Sequence, residues 1–408
     1  MARLDHAASS FDTGTVPHGA AFREGLGSFG RICSPLFQAP PLIRATTRTE
    51  DYAMPSNFRN TAWLFGVITL GLGLSTASLS HAQSPAPAPA GQAGTPYPDA
   101  PEIAPIGVRL DKYMDIPASA QGPAIDQAKG YRIEKLGDGL YMVTDNFYQS
   151  MFMVYDAGVV VVDAPPSYAG KLKQAIAEVT DKPITHLIYS HSHVDHIGGA
   201  GGLGGHPVII AQEETKQLLE RDADPQRPLP TVTFKDKYTL KLGKQVLELS
   251  YPGNGHEPGN IMIYAPAQKT LMFVDILFPG WMPFRRFAIA EDILGYFQQV
   301  RDLDHYPFEK LVAGHVSRIG THDDVRLQIA FDDDIKAAAT VALQSQPFGK
   351  GLNPADATNQ WALVADYEAR VAGQCVNIMT PKWKDKLAAF DTFIWDQCYT
   401  MEQSIRVD

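Results

Sequence analysis

The 408 residues are 45% hydrophobic and 20% charged, the composition of a soluble globular protein with a real core. Length alone leaves one or more domains open, because a two-sheet α/β unit can run past about 200 residues. A formal net charge of −10 excludes a nucleic-acid surface, which needs a basic stripe.

Residues 1–53 show no clear apolar periodicity and read as an upstream extension of the start codon. From Met54 a charged start, an apolar run over 61–74 and the small residues Ser80 and Ala82 follow the pattern of a signal peptide cleaved after Ala82. The run is shorter than the ~20 residues that span a bilayer, so export to the periplasm or the exterior is expected, with no stable membrane insertion afterwards. Loss of residues 1–82 removes six Arg and five acidic residues, taking the charge from −10 to −11. A Pro/Ala/Gly-rich linker occupies 83–125, an α/β domain 126–322 and a helical region 323–408. With Cys33 removed, Cys375 and Cys398 remain as a pair that an oxidising compartment allows to join. If their helices meet near Thr380 and Pro381, one thiol lies near the turn and the other far from it. Bridging requires Cα atoms within ~7 Å, so both the bonded and the free state stay open.

In the α/β domain, β-branched and aromatic runs at 131–136, 139–144 and 151–155 predict strands separated by Gly and Asp turns. Gly158 to Val162 is a wholly apolar strand that ends at Asp163, and 171–179 has helical spacing through Leu172, Ile176 and Val179. The strand at 183–189 delivers the densest chemistry of the chain: His191, His193, Asp195 and His196, with Gly198 and Gly199 behind them. In an extended loop, alternate residues face the same way, so His191 and His193 can grip one cation. Asp195 and His196, beyond the bend, can face a second. The glycines of 198–205 allow sharp turning; without a following Lys-Ser/Thr they are not a phosphate cradle.

A strand at 208–210 and a helix at 213–220 lead to runs at 231–234 and 246–250 whose alternation suits antiparallel pairing. His256, flanked by glycine and proline, sits on the loop 251–260. Strands at 261–264, 271–275 and 311–315 follow, the last two ending in Asp275 and His315. From Asp323 the pattern turns helical, with Leu327, Phe331, Ile335, Ala338 and Ala342 on one stripe, and helices are expected at 361–376 and 382–401.

His-x-His-x-Asp-His, Gly-x-Gly-His-x-x-Gly-Asn, a strand-end Asp and Gly-His, in that order, resemble the metallo-β-lactamase superfamily over about 131–322. The resemblance implies an αββα sandwich, here with a C-terminal helical extension. It also implies one zinc on His191, His193 and His256, a second on Asp195, His196 and His315, and Asp275 bridging both, with iron or manganese as alternative metals. Asp163 matches the strand-end acid that supports the metal loop from behind. Zinc β-lactamases generally carry Cys or Ser in place of Asp275, whereas glyoxalase II and homoserine-lactone lactonases keep the Asp. The lactonases also place a Tyr where this chain has Phe278.

These features imply a hydrolase in which a metal-bridged hydroxide attacks a carbonyl of a lactone, ester, thioester or lactam, with Asp195 orienting the hydroxide and relaying a proton. A mononuclear-iron persulfide dioxygenase and a zinc β-lactamase are the alternatives. The substrate is a small, partly apolar molecule. Phe278, Trp281 and Phe284 either wall its pocket or pack the C-terminal helices, and Arg285 can hold a carboxylate. Residues Phe147, Tyr148 and Gln149 read as a plain turn, the alternative being that they face the metals. The oligomeric state stays open.

Overall fold

Four consecutive valines show how this sequence builds its layers. In an extended strand, successive side chains point to opposite faces. Val159 and Val161 accordingly pack with one buried cluster, and Val160 and Val162 with another. A strand apolar on both faces has to lie inside a layered structure. The computed structural model describes Ile103, residues 105–350 and residues 358–408. The start-codon extension, the signal peptide and the linker up to residue 102 lie outside the described residues.

The valines form β4 (Gly158–Val162) at the centre of a seven-stranded sheet, ordered β1 (Arg132–Gly137), β2 (Leu140–Thr144), β3 (Gln149–Tyr155), β4, β5 (Ile184–Ile188), β6 (Val208–Gln212) and β7 (Val232–Phe234). Neighbours are antiparallel as far as β4 and parallel from β4 to β7. The expected antiparallel setting of 231–234 is therefore corrected: Val232 pairs with Ile210 in parallel, because α3 (Glu213–Asp222) carries the chain back over the sheet. A five-stranded sheet holds β12 (Lys310–Val312), β11 (Thr270–Phe273), β10 (Met262–Ala265), β9 (Gln245–Ser250) and β8 (Lys237–Leu242), in that order.

One core lies between the sheets, built from Met142, Met151, Val160 and Ile188 on one side and Leu247, Ile263, Met272 and Val312 on the other. A second covers the outer face of the first sheet, where α1 (Ala169–Ala177) inserts Leu172 and Ile176, α2 (Val194–Ile197) adds Ile197 and α3 adds Leu219. The third covers the second sheet with α5 (Ile293–Leu303), α6 (His322–Ser345), α7 (Gln360–Trp383) and α8 (Phe390–Val407). The described chain is thus an αββα sandwich whose C-terminal helices share a core with β10 and β11. Helix α5 is absent from the elements expected on sequence, although Asp292 caps it by accepting from the Gly295 amide and Tyr296, Phe297, Val300 and Leu303 make its buried face.

Within the stretch read as linker, residues 105–125 run along the folded body and are pinned to it. Asp391 accepts from the Met114 amide at 2.6 Å, Ser317 Oγ accepts from the Gly122 amide at 2.9 Å, and Arg318 donates to the Ser119 carbonyl at 2.6 Å. Composition predicts the absence of regular structure there, but not that specific side chains elsewhere would hold it.

The break between the last two helices falls later than expected, at 384–389 rather than near Pro381. Pro381 occupies the final turn of α7, where it removes one i→i−4 hydrogen bond without ending the helix. Trp383 is buried at the end of that turn and donates its indole N–H to Asp334 at 2.7 Å, which outweighs the proline. The later turn makes the cysteines symmetric: Cys375 lies eight residues before the end of α7 (383 − 375) and Cys398 eight after the start of α8 (398 − 390). Their Cα atoms are 5.8 Å apart and the pair is joined as a disulfide. Replacing both cysteines by serine is expected to lower the unfolding free energy by about 2–4 kcal/mol in denaturant titrations; an unchanged midpoint would mean that the bond does not form in solution.

Candidate metal centre

Strands held on both faces are rigid, and the loops at their C-terminal ends inherit fixed positions. Asp163 follows β4, the 191–196 run follows β5, Asp275 closely follows β11 and His315 closely follows β12. His256 comes from the loop between β9 and β10. All converge on one edge shared by the two sheets. Asp163 and Asp275 have left-handed backbones, φ 61° and 64°, which Asp tolerates better than most residues and which turn the chain sharply off the strand end.

The side chains form two donor groups, His191 with His193, His256 and Asp275, and Asp195 with His196 and His315, the atoms of each lying within 4.8 Å of one another. His256 Nε2 is 3.4 Å from His191 Nε2 and 3.1 Å from His193 Nδ1. His196 Nε2 is 3.0 Å from His315 Nε2. The Asp275 carboxylate faces both groups. Its Oδ2 is 3.5, 3.2 and 3.1 Å from Nε2 of His191, His256 and His196, and its Oδ1 is 3.0 Å from His315 Nε2. Asp195 Oδ2 is 3.7 Å from both His196 and His315.

Electrostatics follow from that crowding. Burial, reinforced by the neighbouring imidazoles, holds His191 well below its ordinary pKa and so neutral. For His196 burial acts the same way, but Asp275 and Asp195 outweigh it and push the group up to about 9. Burial would raise Asp275, yet the imidazoles of His196, His315 and His256 keep it well below the carboxylate range. Ring nitrogens this close cannot all carry protons, whereas a dication satisfies several lone pairs at once. Nitrogen and carboxylate oxygen donors suit zinc, so the donor set fits the metals that the sequence implies.

Groups behind the ligands orient them. Ser190 Oγ lies 2.9 Å from His191 Nδ1. Asp163 Oδ1 accepts from the Ser190 amide at 2.8 Å; burial pushes the Asp163 carboxyl up to about 6, opposed by His196 and by that amide. Glu257, not among the residues expected on sequence, is 95% buried: Oε1 lies 3.3 Å from His193 Nε2, and its oxygens accept from the Ser192 amide and hydroxyl at 2.9 and 2.8 Å. A proton kept on His193 Nε2 leaves the Nδ1 lone pair facing the site. Arg227, equally buried, donates to the Ser192 carbonyl at 2.7 Å. An acid directly after a candidate ligand His was the available signal for Glu257.

The two sheets are clasped beside the site. The Gln149 amide donates to the Gly314 carbonyl at 2.7 Å and the Val316 amide to the Phe147 carbonyl at 3.2 Å, while Gln149 also donates to the carbonyls of Val316 and Arg318. The plain-turn reading of 147–149 is corrected accordingly. The clasp holds the Tyr148 ring 4.8 Å from that of His315 and 5.7 Å from that of His196, on the wall of the cleft.

That cleft, about 440 Å³, opens over His193, Asp195, His256, Asp275 and His315. Phe278, Met282, Phe284, Ala288, Ile289 and Phe393 make its apolar side. Of the four expected substrate contacts, Phe278 and Phe284 line it and Trp281 and Arg285 do not. Trp281 donates its indole N–H to the Ala120 carbonyl at 3.0 Å and packs on the C-terminal core, and the Arg285 guanidinium lies 5.7 Å from the Phe393 ring centre. A short turn, α4 (Arg285–Ile289), carries Ala288 and Ile289 into the wall, with Arg286, Phe287, Ala288 and Ile289 all at φ between 53° and 61°. Left-handed helix costs roughly 1–2 kcal/mol per non-glycine residue, so its surroundings must hold this turn.

Glu257→Gln is expected to weaken metal binding by roughly 10–100-fold, measured by competition with a chromophoric chelator. Wild-type affinity in that variant would reduce Glu257 to a loop anchor.

The metallo-beta-lactamase superfamily model matches residues 143–315. The 2,4-dinitroanisole O-demethylase subunit alpha of Nocardioides sp. (strain JS1661) is 26% identical over 215 residues, 51% of this chain and 64% of its own. The metallo-beta-lactamase type 2 of Elizabethkingia meningoseptica is 30% identical over 155 residues, 35% of this chain and 60% of its own. The match thus spans less than two thirds of either relative. Among solved structures, a metallo-beta-lactamase from Pontibacter korlensis aligns with TM-score 0.44 and 19% identity over 50% of this chain and 99% of its own. Residues 143–315, which hold every residue of both donor groups, form a metallo-beta-lactamase superfamily domain.

Proposed function

We propose that the protein is an exported hydrolase, loaded with two zinc ions, that cleaves a lactone or ester bond in a small, uncharged, partly aromatic molecule. The observation that carries this reading is a doubly sufficient donor set, shared through Asp275, at the floor of a cleft whose wall is apolar and whose lining contains no Lys or Arg. Zinc bound there supplies Lewis acidity at a carbonyl oxygen and lowers the pKa of water from 15.7 toward ~7.

The chain's own residues supply the remainder. Phe278, Phe284 and Phe393 give an apolar acyl or aryl group a surface to bury, in a volume of the size used for small ligands. Asp195, with a side chain 45% exposed at the cleft, is placed to take a proton from the attacking water and return it to the leaving oxygen. Tyr148 faces it, and burial together with the charges of Asp195 and Asp275 raises its pKa, so its hydroxyl stays protonated as a donor to developing negative charge.

A cleft lining without Lys or Arg suits neutral lactones and esters better than lactams that bear a carboxylate. The O-demethylase relative is named for 2,4-dinitroanisole, an uncharged aromatic compound of the same polarity class. The two donor groups favour two metals over a single iron. The Cys375–Cys398 bond supports export, since disulfides persist in oxidising compartments.

The test is metal analysis of the purified protein together with a panel of neutral aryl esters, lactones, a thioester and a cephalosporin. Two zinc equivalents and highest kcat/KM on the neutral apolar substrates are expected, with His256→Ala losing both metal and turnover. A preference for the cephalosporin, or turnover that survives in His256→Ala, would overturn the reading. Tyr148→Phe should keep its metal and lose roughly 10–100-fold in kcat; an unchanged kcat would leave Tyr148 as wall only.

A further inference from the structure

The left-handed turn α4 forms part of the cleft wall through Ala288 and Ile289, while Phe287 just before them is buried in the core, its ring 5.1 Å from that of Phe297. Four successive non-glycine residues in this conformation do not hold themselves. The restraint comes from α8, over a hundred residues later in the chain. Asp396 Oδ2 accepts from the Arg286 amide at 2.7 Å, and Gln397 Oε1 accepts from the Phe287 amide at 2.7 Å. Gln397 Nε2 donates to the carbonyls of Pro283 and Phe284 at 2.8 and 3.0 Å. Its side chain is wholly buried, and three of its hydrogen-bonding positions are spent on this one loop. The next residue, Cys398, ties α8 to α7.

The geometry points to Gln397 as a specificity-determining positioning residue: by clamping the 283–289 loop from α8, it sets the shape of the apolar wall and so the size of the substrate group admitted. Gln397 belongs to neither donor group and does not itself line the cleft; it reaches the lining only through the backbone carbonyl of Phe284. The inference rests on the reading of the cleft as the substrate site. On this account the C-terminal helices are a specificity element, because the wall they hold is built from a loop that would otherwise relax toward right-handed backbone.

The test uses Gln397→Leu in the full-length, metal-loaded, disulfide-intact protein, with an aryl acetate and an aryl ester of a bulky aromatic acid. KM for the bulky ester is expected to rise about tenfold, while kcat for the acetate stays within about twofold and metal content is unchanged. Hydrogen exchange at the Arg286 and Phe287 amides should speed up by at least about tenfold. Adding Arg286→Gly, which removes the steric penalty of positive φ, should bring the bulky-ester KM back at least halfway on a logarithmic scale. Parallel loss on both esters, or a lower Tm with KM unchanged and no rescue by Arg286→Gly, overturns the proposal. If Gln397→Leu does not fold, Gln397→Glu keeps the acceptor for Phe287 and loses the donor to the two carbonyls; an unchanged KM for the bulky ester in that variant also overturns it. Should the wild type cleave none of the esters, the proposed activity fails by itself. The exchange measurement then still decides the clamp, and unchanged exchange in the variant refutes it.

Discussion

The Asp275 carboxylate, buried among four imidazoles, is the interaction on which the arrangement depends. A buried anion is costly unless partnered, and here its oxygens lie within 3.5 Å of nitrogens from His191, His196, His256 and His315. Those residues come from three separate loops across both sheets. Holding them around one carboxylate fixes how the sheets meet, and the backbone clasp between 147–149 and 314–316 secures the same junction from the side. The imidazoles also crowd one another, so the convergence that shelters the anion creates a demand for cations at the same point.

Support for the site is graded with distance from it. Ser190 and Glu257 address individual rings, Asp163 and Arg227 address the loop that carries them, and the paired sheets keep the loops in place. The cleft wall is organised differently. It is made of a strained turn and aromatic side chains whose restraint comes from α8, tied in turn to α7 by a disulfide. The metal-holding loops are thus backed by the paired sheets, whereas the 283–289 part of the wall is restrained from the C-terminal helices.

Local pattern made much of this legible. The alternation of β4, the ends of the strands and the spacing of the 191–196 run are short-range features, since side-chain direction in an extended segment follows from sequence parity. The same parity placed His191 and His193 on one side. Residues whose role depends on a distant partner were read less well. Tyr148 resembles any turn aromatic until His315, just after β12, is paired with it, and Glu257 resembles a loop acid until Ser192 is brought to it. Trp281 and Phe284, three residues apart, were alike as candidates for the wall; the Ala120 carbonyl claims one and the cleft keeps the other.

The sequence by itself determined the strand and helix segments, the candidate ligand types and the loops that carry them, because those follow from periodicity and from the donor chemistry of His and Asp, while the layered sandwich was what the family resemblance implied. Tertiary structure alone decided which ring nitrogen faces the site, where α7 stops, that Cys375 meets Cys398, and which aromatics border the cleft. Each of those depends on contacts between segments tens to hundreds of residues apart, and no local periodicity encodes the distance between two such segments.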